Sequence, residues 1–171
     1  MNTLVVSKVK LYQEARRKNI LQGKDYGALS NPGVVAAIGR HFLQGDTKES
    51  MLALAVNTKN ELIAVYSVFS GAISSISVST REIVQFVLLN NAAQMFILHN
   101  HPSGHAEPSE TDISFTRRLQ MAGSLMDVDL LDHVIVTDDD YASIRTYEPQ
   151  LFDRPTEPEL ESLIAEEKRR F

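Results

Sequence analysis

Cysteine and tryptophan are both absent from the 171 residues. Without cysteine there is no disulfide, no thiolate metal site, no iron–sulfur cluster and no cysteine nucleophile, and the composition fits a reducing compartment. Glycine and proline are sparse, at 8 and 6 residues, which excludes collagen-like and low-complexity chains. The longest apolar runs fall far short of the roughly 18–20 residues that a membrane helix needs. The first residues, Met-Asn-Thr-Leu-Val-Val-Ser-Lys, hold a short apolar run with its charge on the wrong side, so no secretory signal is expected there. A cytoplasmic protein without membrane contact is the expectation.

What remains is ordinary for a globular chain: 43% hydrophobic and 23% charged residues, enough length for one domain with extensions and a core that needs no staples. The net charge of −5 is unevenly spread. Residues 1–50 hold 8 Lys/Arg against 4 Asp/Glu, whereas residues 51–150 hold 5 against 12. The basic start includes Arg16, Arg17, Lys18 and Lys24. It reads either as a solvated helix face or as a contact for nucleic acid or an acidic partner.

Periodicity divides the chain. Val6, Val9, Tyr12 and Ala15 stand at helical spacing over the first 20 residues. Asn31-Pro32 opens a helix to about Phe42, with Asn31 as N-cap and Pro32 at the first helical position. Met51–Val56 and Leu62–Phe69, joined by Asn57-Thr-Lys-Asn60, read as a β-hairpin. A third strand is expected at 72–78. Ser79 and Glu82 then form a capping-box signature ahead of a helix at about 80–91. Met95–Leu98 is a short continuous apolar run, as in a strand buried on both faces. A helix capped by Ser109 is expected to about Ser124. Strands at Leu130–Thr137 and Tyr141–Arg145 follow, and then a charged helix from Glu157 to Arg170. Interleaved helices and strands give an α/β class: a mixed sheet flanked by helices.

Three of the five histidines lie within seven positions, in His99-Asn-His101-Pro-Ser-Gly-His105, where a buried strand runs out into a loop. In extended chain, residues i and i+2 share a face and lie about 6–7 Å apart, so His99 and His101 can aim at one point. Asp112 follows 11 residues after His101, in the first turn of the next helix. Two imidazoles and one carboxylate suit zinc, and three protein ligands leave a fourth position for water, as in catalytic sites. The same Asp112 reads equally well as the acid of a Ser109-x-x-Asp112 capping box.

The string H-N-H-P-S-G, then P-S-x-x-D, T-R-R-L and L-L-D-H-V-I-V, resembles the RadC-type branch of the JAB/JAMM metalloprotein superfamily, over roughly residues 45–147. His99, His101, Ser109 and Asp112 match its motif H-x-H-x(7)-S-x-x-D. The resemblance implies a cytidine-deaminase-like architecture in one catalytic domain at 46–147, between an N-terminal helical extension at 1–45 and a tail helix at 148–171. The deaminase signature itself needs cysteines and is ruled out. With about 45 residues ahead of the domain, a short form without a helix-hairpin-helix DNA-binding region is expected.

The resemblance also implies a zinc-dependent peptidase or isopeptidase. His99, His101 and Asp112 would hold the metal, a glutamate would act as general base, and the Ser109 hydroxyl would stabilise the oxyanion. Glu82 already has a capping role. Glu49, at the entry to the first strand of the hairpin, matches the family's position for the base. His105 falls where the family varies and is read as a solvated loop residue. His133 is read as structural or as a support behind the ligands, and His41 is left outside the site. The alternative is a DNA-repair-associated accessory protein that binds DNA through the basic N-terminal region and carries a structural or vestigial zinc site.

Overall fold

A computed structural model describes residues 26–70 and 79–168. The helix expected over the first 20 residues, the basic cluster Arg16 to Lys24 and the strand expected at 72–78 lie outside the described residues.

Asn31 accepts the Val34 N–H at 3.1 Å and Pro32 takes the first helical position, so helix α1 starts at that step and runs over Pro32–Leu43. Strands β1 (Ser50–Val56) and β2 (Leu62–Ser70) form the hairpin. Asn57 organises its turn by accepting from the N–H groups of Lys59 and Glu61. Ser79 caps helix α2 (Thr80–Leu89) by accepting the Glu82 N–H. Strand β3 (Gln94–Asn100), helix α3 (Glu110–Leu125), strand β4 (Asp129–Val136) and strand β5 (Tyr141–Ser143) follow. A short helix α4 (Ile144–Tyr147), a 3₁₀ turn (Pro149–Phe152) and helix α5 (Glu157–Lys168) end the described chain.

The five strands form one mixed sheet in the order β2-β1-β3-β4-β5. Among the described strands only β3 and β4 run parallel, joined by α3 as the crossover, which a parallel pair requires. Strand β1 is buried along its whole length between β2 and β3. Its side chains alternate: Met51, Ala53 and Ala55 pack beneath α2 and α3, while Leu52, Leu54 and Val56 pack beneath α1. This is the period-2 pattern of a strand covered on both sides. Helix α1 rests directly on the sheet, where the space at Gly39 is only as wide as Leu98 and Val136 leave it. Residues 32–43 thus form one packed layer with the sheet, within the stretch expected as an extension.

Two elements end differently from their sequence patterns. Strand β5 stops at Ser143 instead of Arg145, because Ser143 Oγ accepts the Thr146 N–H and buried Asp132 accepts the Arg145 N–H. Both bonds turn the chain into α4. The tail, expected as a helix over 148–171, opens instead on the 3₁₀ turn: Leu151 and Phe152 are buried in the core, and Gln120 donates to the Phe152 carbonyl at 3.2 Å.

Candidate metal centre

His99 and Asn100 end β3, and His101 is the first residue beyond it. Alternation sends His99 toward α3 and Asn100 toward α1. His101 turns back so that its Nε2 lies 2.9 Å from His99 Nε2. Helix α3 supplies the third group. Its N-terminus is a complete capping box: Ser109 Oγ accepts the Asp112 N–H at 3.2 Å, and the Ser109 N–H donates to Asp112 Oδ2 at 2.8 Å. The Ser109 hydroxyl also donates to the same Oδ2, at 2.6 Å. The carboxylate is thereby pinned with Oδ1 3.3 Å from His99 Nε2 and Oδ2 3.5 Å from His101 Nε2. The two readings of Asp112 open in the sequence are therefore compatible, since one carboxylate closes the cap and joins the cluster.

His99 is fully buried, Asp112 nearly so, and His101 is half-buried. Ligand atoms of the three lie within 4.8 Å of one another, so the cluster could hold a metal ion. The donor set fits one. His101 Nδ1 faces the His105 carbonyl at 2.8 Å and must donate to it, which leaves its neutral Nε2 with a bare lone pair. That lone pair points at another ring nitrogen and a carboxylate, an arrangement of acceptors that a cation relieves.

The electrostatics follow. Burial lowers His99 to about 4, against the pull of Asp112. His101 is raised, chiefly by its contact with the Asp112 carboxylate, and Glu49 adds to this with its negative charge. Burial would raise Asp112, but His101, His99 and the two Ser109 donors more than reverse it and hold the carboxyl well below the usual range.

Glu49 is half-buried immediately before β1, and its charge reaches His101. Glu82 is exposed on α2, where Tyr66 donates to its carboxylate. It is not among the groups that act on His99, His101 or Asp112. His105 contributes its carbonyl while its side chain is exposed. His41 packs edge-on against Phe42, outside the cluster.

Three residues emerge that the spacing did not single out as part of the site. Asn100, between the two histidines, is buried on the opposite face. Its Oδ1 accepts the Ser50 N–H at 2.7 Å, and its Nδ2 donates to the carbonyls of Lys48 at 3.1 Å and Asp46 at 3.4 Å. One side chain thus clamps the backbone on both sides of Glu49; the signal was the polar residue between the histidines. His133, fully buried on β4, places Nε2 2.8 Å from His99 Nδ1, and Thr116 on α3 lies 2.7 Å from His133 Nδ1. Beside His101, a cleft of about 340 Å³ is lined by residues that include Arg40, Asp46, Asn100, Gly104, Thr137 and Asp138.

The family described as RadC-like JAB domain matches residues 29–149. A UPF0758 protein of Neisseria meningitidis serogroup B is 45% identical over 117 residues, covering 68% of this chain and 52% of the relative. A UPF0758 protein of Cellvibrio japonicus is 42% identical over 116 residues, with the same two shares. One of Stenotrophomonas maltophilia is 42% identical over 107 residues, covering 63% of this chain and 46% of its own length. The chain spans about half the length of these relatives. Among the described residues no helix is long and apolar enough to cross a membrane.

Proposed function

Because the chain belongs to the family of RadC-like JAB domains, we propose that it is a zinc-dependent hydrolase of amide bonds, with a peptide or isopeptide as substrate. The observation that carries this reading is the convergence of two imidazole nitrogens and one carboxylate at 2.9, 3.3 and 3.5 Å. A tetrahedral zinc with bonds of about 2.0–2.1 Å has ligand–ligand edges of about 3.3 Å; the two histidines approach different oxygens of Asp112, His99 Oδ1 and His101 Oδ2, so either oxygen would serve as its ligand. His99, His101 and Asp112 would hold it, and among the described residues no fourth group joins the cluster, whose more exposed side is that of His101. When bound, zinc supplies Lewis acidity, which brings the pKa of water to roughly 7 and polarises a carbonyl.

The chain's own residues supply the rest. Glu49 accepts a proton from the attacking water as its oxygen bonds to the carbonyl carbon. It returns that proton to the nitrogen as the carbon–nitrogen bond breaks. Asn100 holds the backbone around Glu49 and so orients this carboxylate. Ser109 is the candidate donor to the developing oxyanion, and it must turn its proton away from Asp112 Oδ2 to act there. The cleft beside His101 offers the scissile segment a place to lie.

The test is metal content. Wild type and His101→Ala, purified without chelator or histidine tag, are compared by elemental mass spectrometry. About one zinc per chain in the wild type and none in the variant is the expected result. It would justify a screen of peptide and isopeptide substrates with Glu49→Ala as control. A wild type that holds no zinc after reconstitution would overturn the hydrolase reading. The DNA-associated role would then come forward, testable as duplex binding that weakens steeply with salt.

A further inference from the structure

Behind His99 an unbroken line of polar groups runs to a main-chain carbonyl. Thr116 Oγ1 lies 2.6 Å from the Asp112 carbonyl oxygen and 2.7 Å from His133 Nδ1. His133 Nε2 in turn lies 2.8 Å from His99 Nδ1. The chemistry of the far end decides where every proton sits. A carbonyl oxygen only accepts, so the single Thr116 hydroxyl proton points to Asp112. His133 Nδ1 must then donate to Thr116. Both rings are fully buried, which favours the neutral form, and a neutral imidazole has one N–H. His133 Nε2 therefore carries a lone pair, and His99 Nδ1 donates to it. With that proton spent, His99 Nε2 is left bare where it faces His101 and Asp112.

We propose that Thr116 and His133 form a positioning relay that locks His99 in its Nδ1–H tautomer and so presents the Nε2 lone pair to a divalent cation. The opposite tautomer would aim an N–H at the same point and repel the cation. The relay starts one helical turn after Asp112, on the same helix, so α3 contributes one ligand directly and orients a second through His133. The identity of the cation rests on the zinc reading above; the tautomer does not.

Two measurements test it. In metal-free wild type with nitrogen-15-labelled histidine, long-range proton–nitrogen correlations report each ring's tautomer. His99 and His133 are both expected with protonated Nδ1 and bare Nε2. An Nε2–H on His99 overturns the relay, and this needs neither a variant nor a metal. Competition titration of zinc against a chromophoric chelator then compares four variants. Thr116→Val and His133→Leu are expected to weaken binding about 10- to 100-fold, the range for losing a group that orients a ligand. Thr116→Ser restores the hydroxyl and returns affinity toward wild type. His133→Gln keeps an acceptor for His99 and binds more tightly than His133→Leu. Wild-type affinity in both Thr116→Val and His133→Leu would reduce these residues to packing. If the wild type binds no zinc, the functional reading fails while the tautomer measurement still decides the relay.

Discussion

Ser109 and Asp112 hold each other at the head of α3: the serine hydroxyl donates to Oδ2 at 2.6 Å while it accepts the aspartate N–H at 3.2 Å. The pair caps the helix and fixes the carboxylate in the cluster with the same bonds.

Ser109→Ala removes the cap and one of the two donors on Oδ2. A lost serine cap costs about 0.5–2 kcal/mol, so the melting temperature is expected to drop by a few degrees, with zinc retained near one per chain. Ser109→Thr keeps the hydroxyl and most of the stability. Thermal melts of the three proteins check this, and an alanine variant that melts like the wild type would show the cap to be idle.

Zinc affinity is expected to depend on pH through His101 first and His99 second. Zinc binds neutral imidazole, so protons compete with it. In the metal-free protein Asp112 and Glu49 raise His101 above its ordinary value of 6.5, whereas burial lowers His99 to about 4. The apparent dissociation constant is flat above the His101 pKa. It rises about tenfold per pH unit as the pH falls below it, the slope for one competing proton. The second proton enters only near pH 4. In Glu49→Gln one of the charges that raises His101 is gone, so the onset of weakening moves to lower pH at unchanged zinc stoichiometry. On a cleavable substrate the same variant loses about 10²–10⁴ in rate. Isothermal titration across pH reads the first effect without any substrate; an unmoved onset would place Glu49 too far from His101 to act beside it.

Gly123 closes the turn from α3 into β4. A Cβ there would sit 2.4 Å from the Val128 carbonyl oxygen and 3.0 Å from Met95 Cε. The backbone oxygen cannot step aside, because the Val128 N–H is bonded to the Gly123 carbonyl at 2.9 Å. Gly123→Ala is therefore expected to cost at least about 1–3 kcal/mol through overpacking, despite alanine's better helix propensity. Urea unfolding measures the loss, and a variant as stable as wild type would mean that the turn has room to move.

Short-range chemistry was legible in the chain. Asn31-Pro32, Ser79 with Glu82, and Ser109 with Asp112 mark helix starts because a cap needs only its own four residues. The pairing of His99 with His101 follows from strand alternation, and the class of mixed sheet with flanking helices follows from the order of patterns.

Long-range geometry was not. The parity of β4 changes where the β3–β4 register shifts between Met95 and Phe96: Leu130 pairs with Met95, Asp132 with Phe96, and Leu131 is the extra residue. That step, of the kind a β-bulge makes, turns His133 toward α3, Phe115 and His99. No local pattern in Leu130–Val136 encodes it, because it depends on the strand alongside. Likewise, the sequence by itself left Glu49 and Glu82 both open as acids ahead of the histidines, until family resemblance favoured the first. In the tertiary structure β1 lies beside β3 and brings Glu49 within electrostatic reach of His101, while α2 holds Glu82 exposed beside Tyr66. Residue chemistry and spacing determined which groups can bind a metal; the packing of distant segments decided which side chains stand behind His99 and which carboxylate reaches His101.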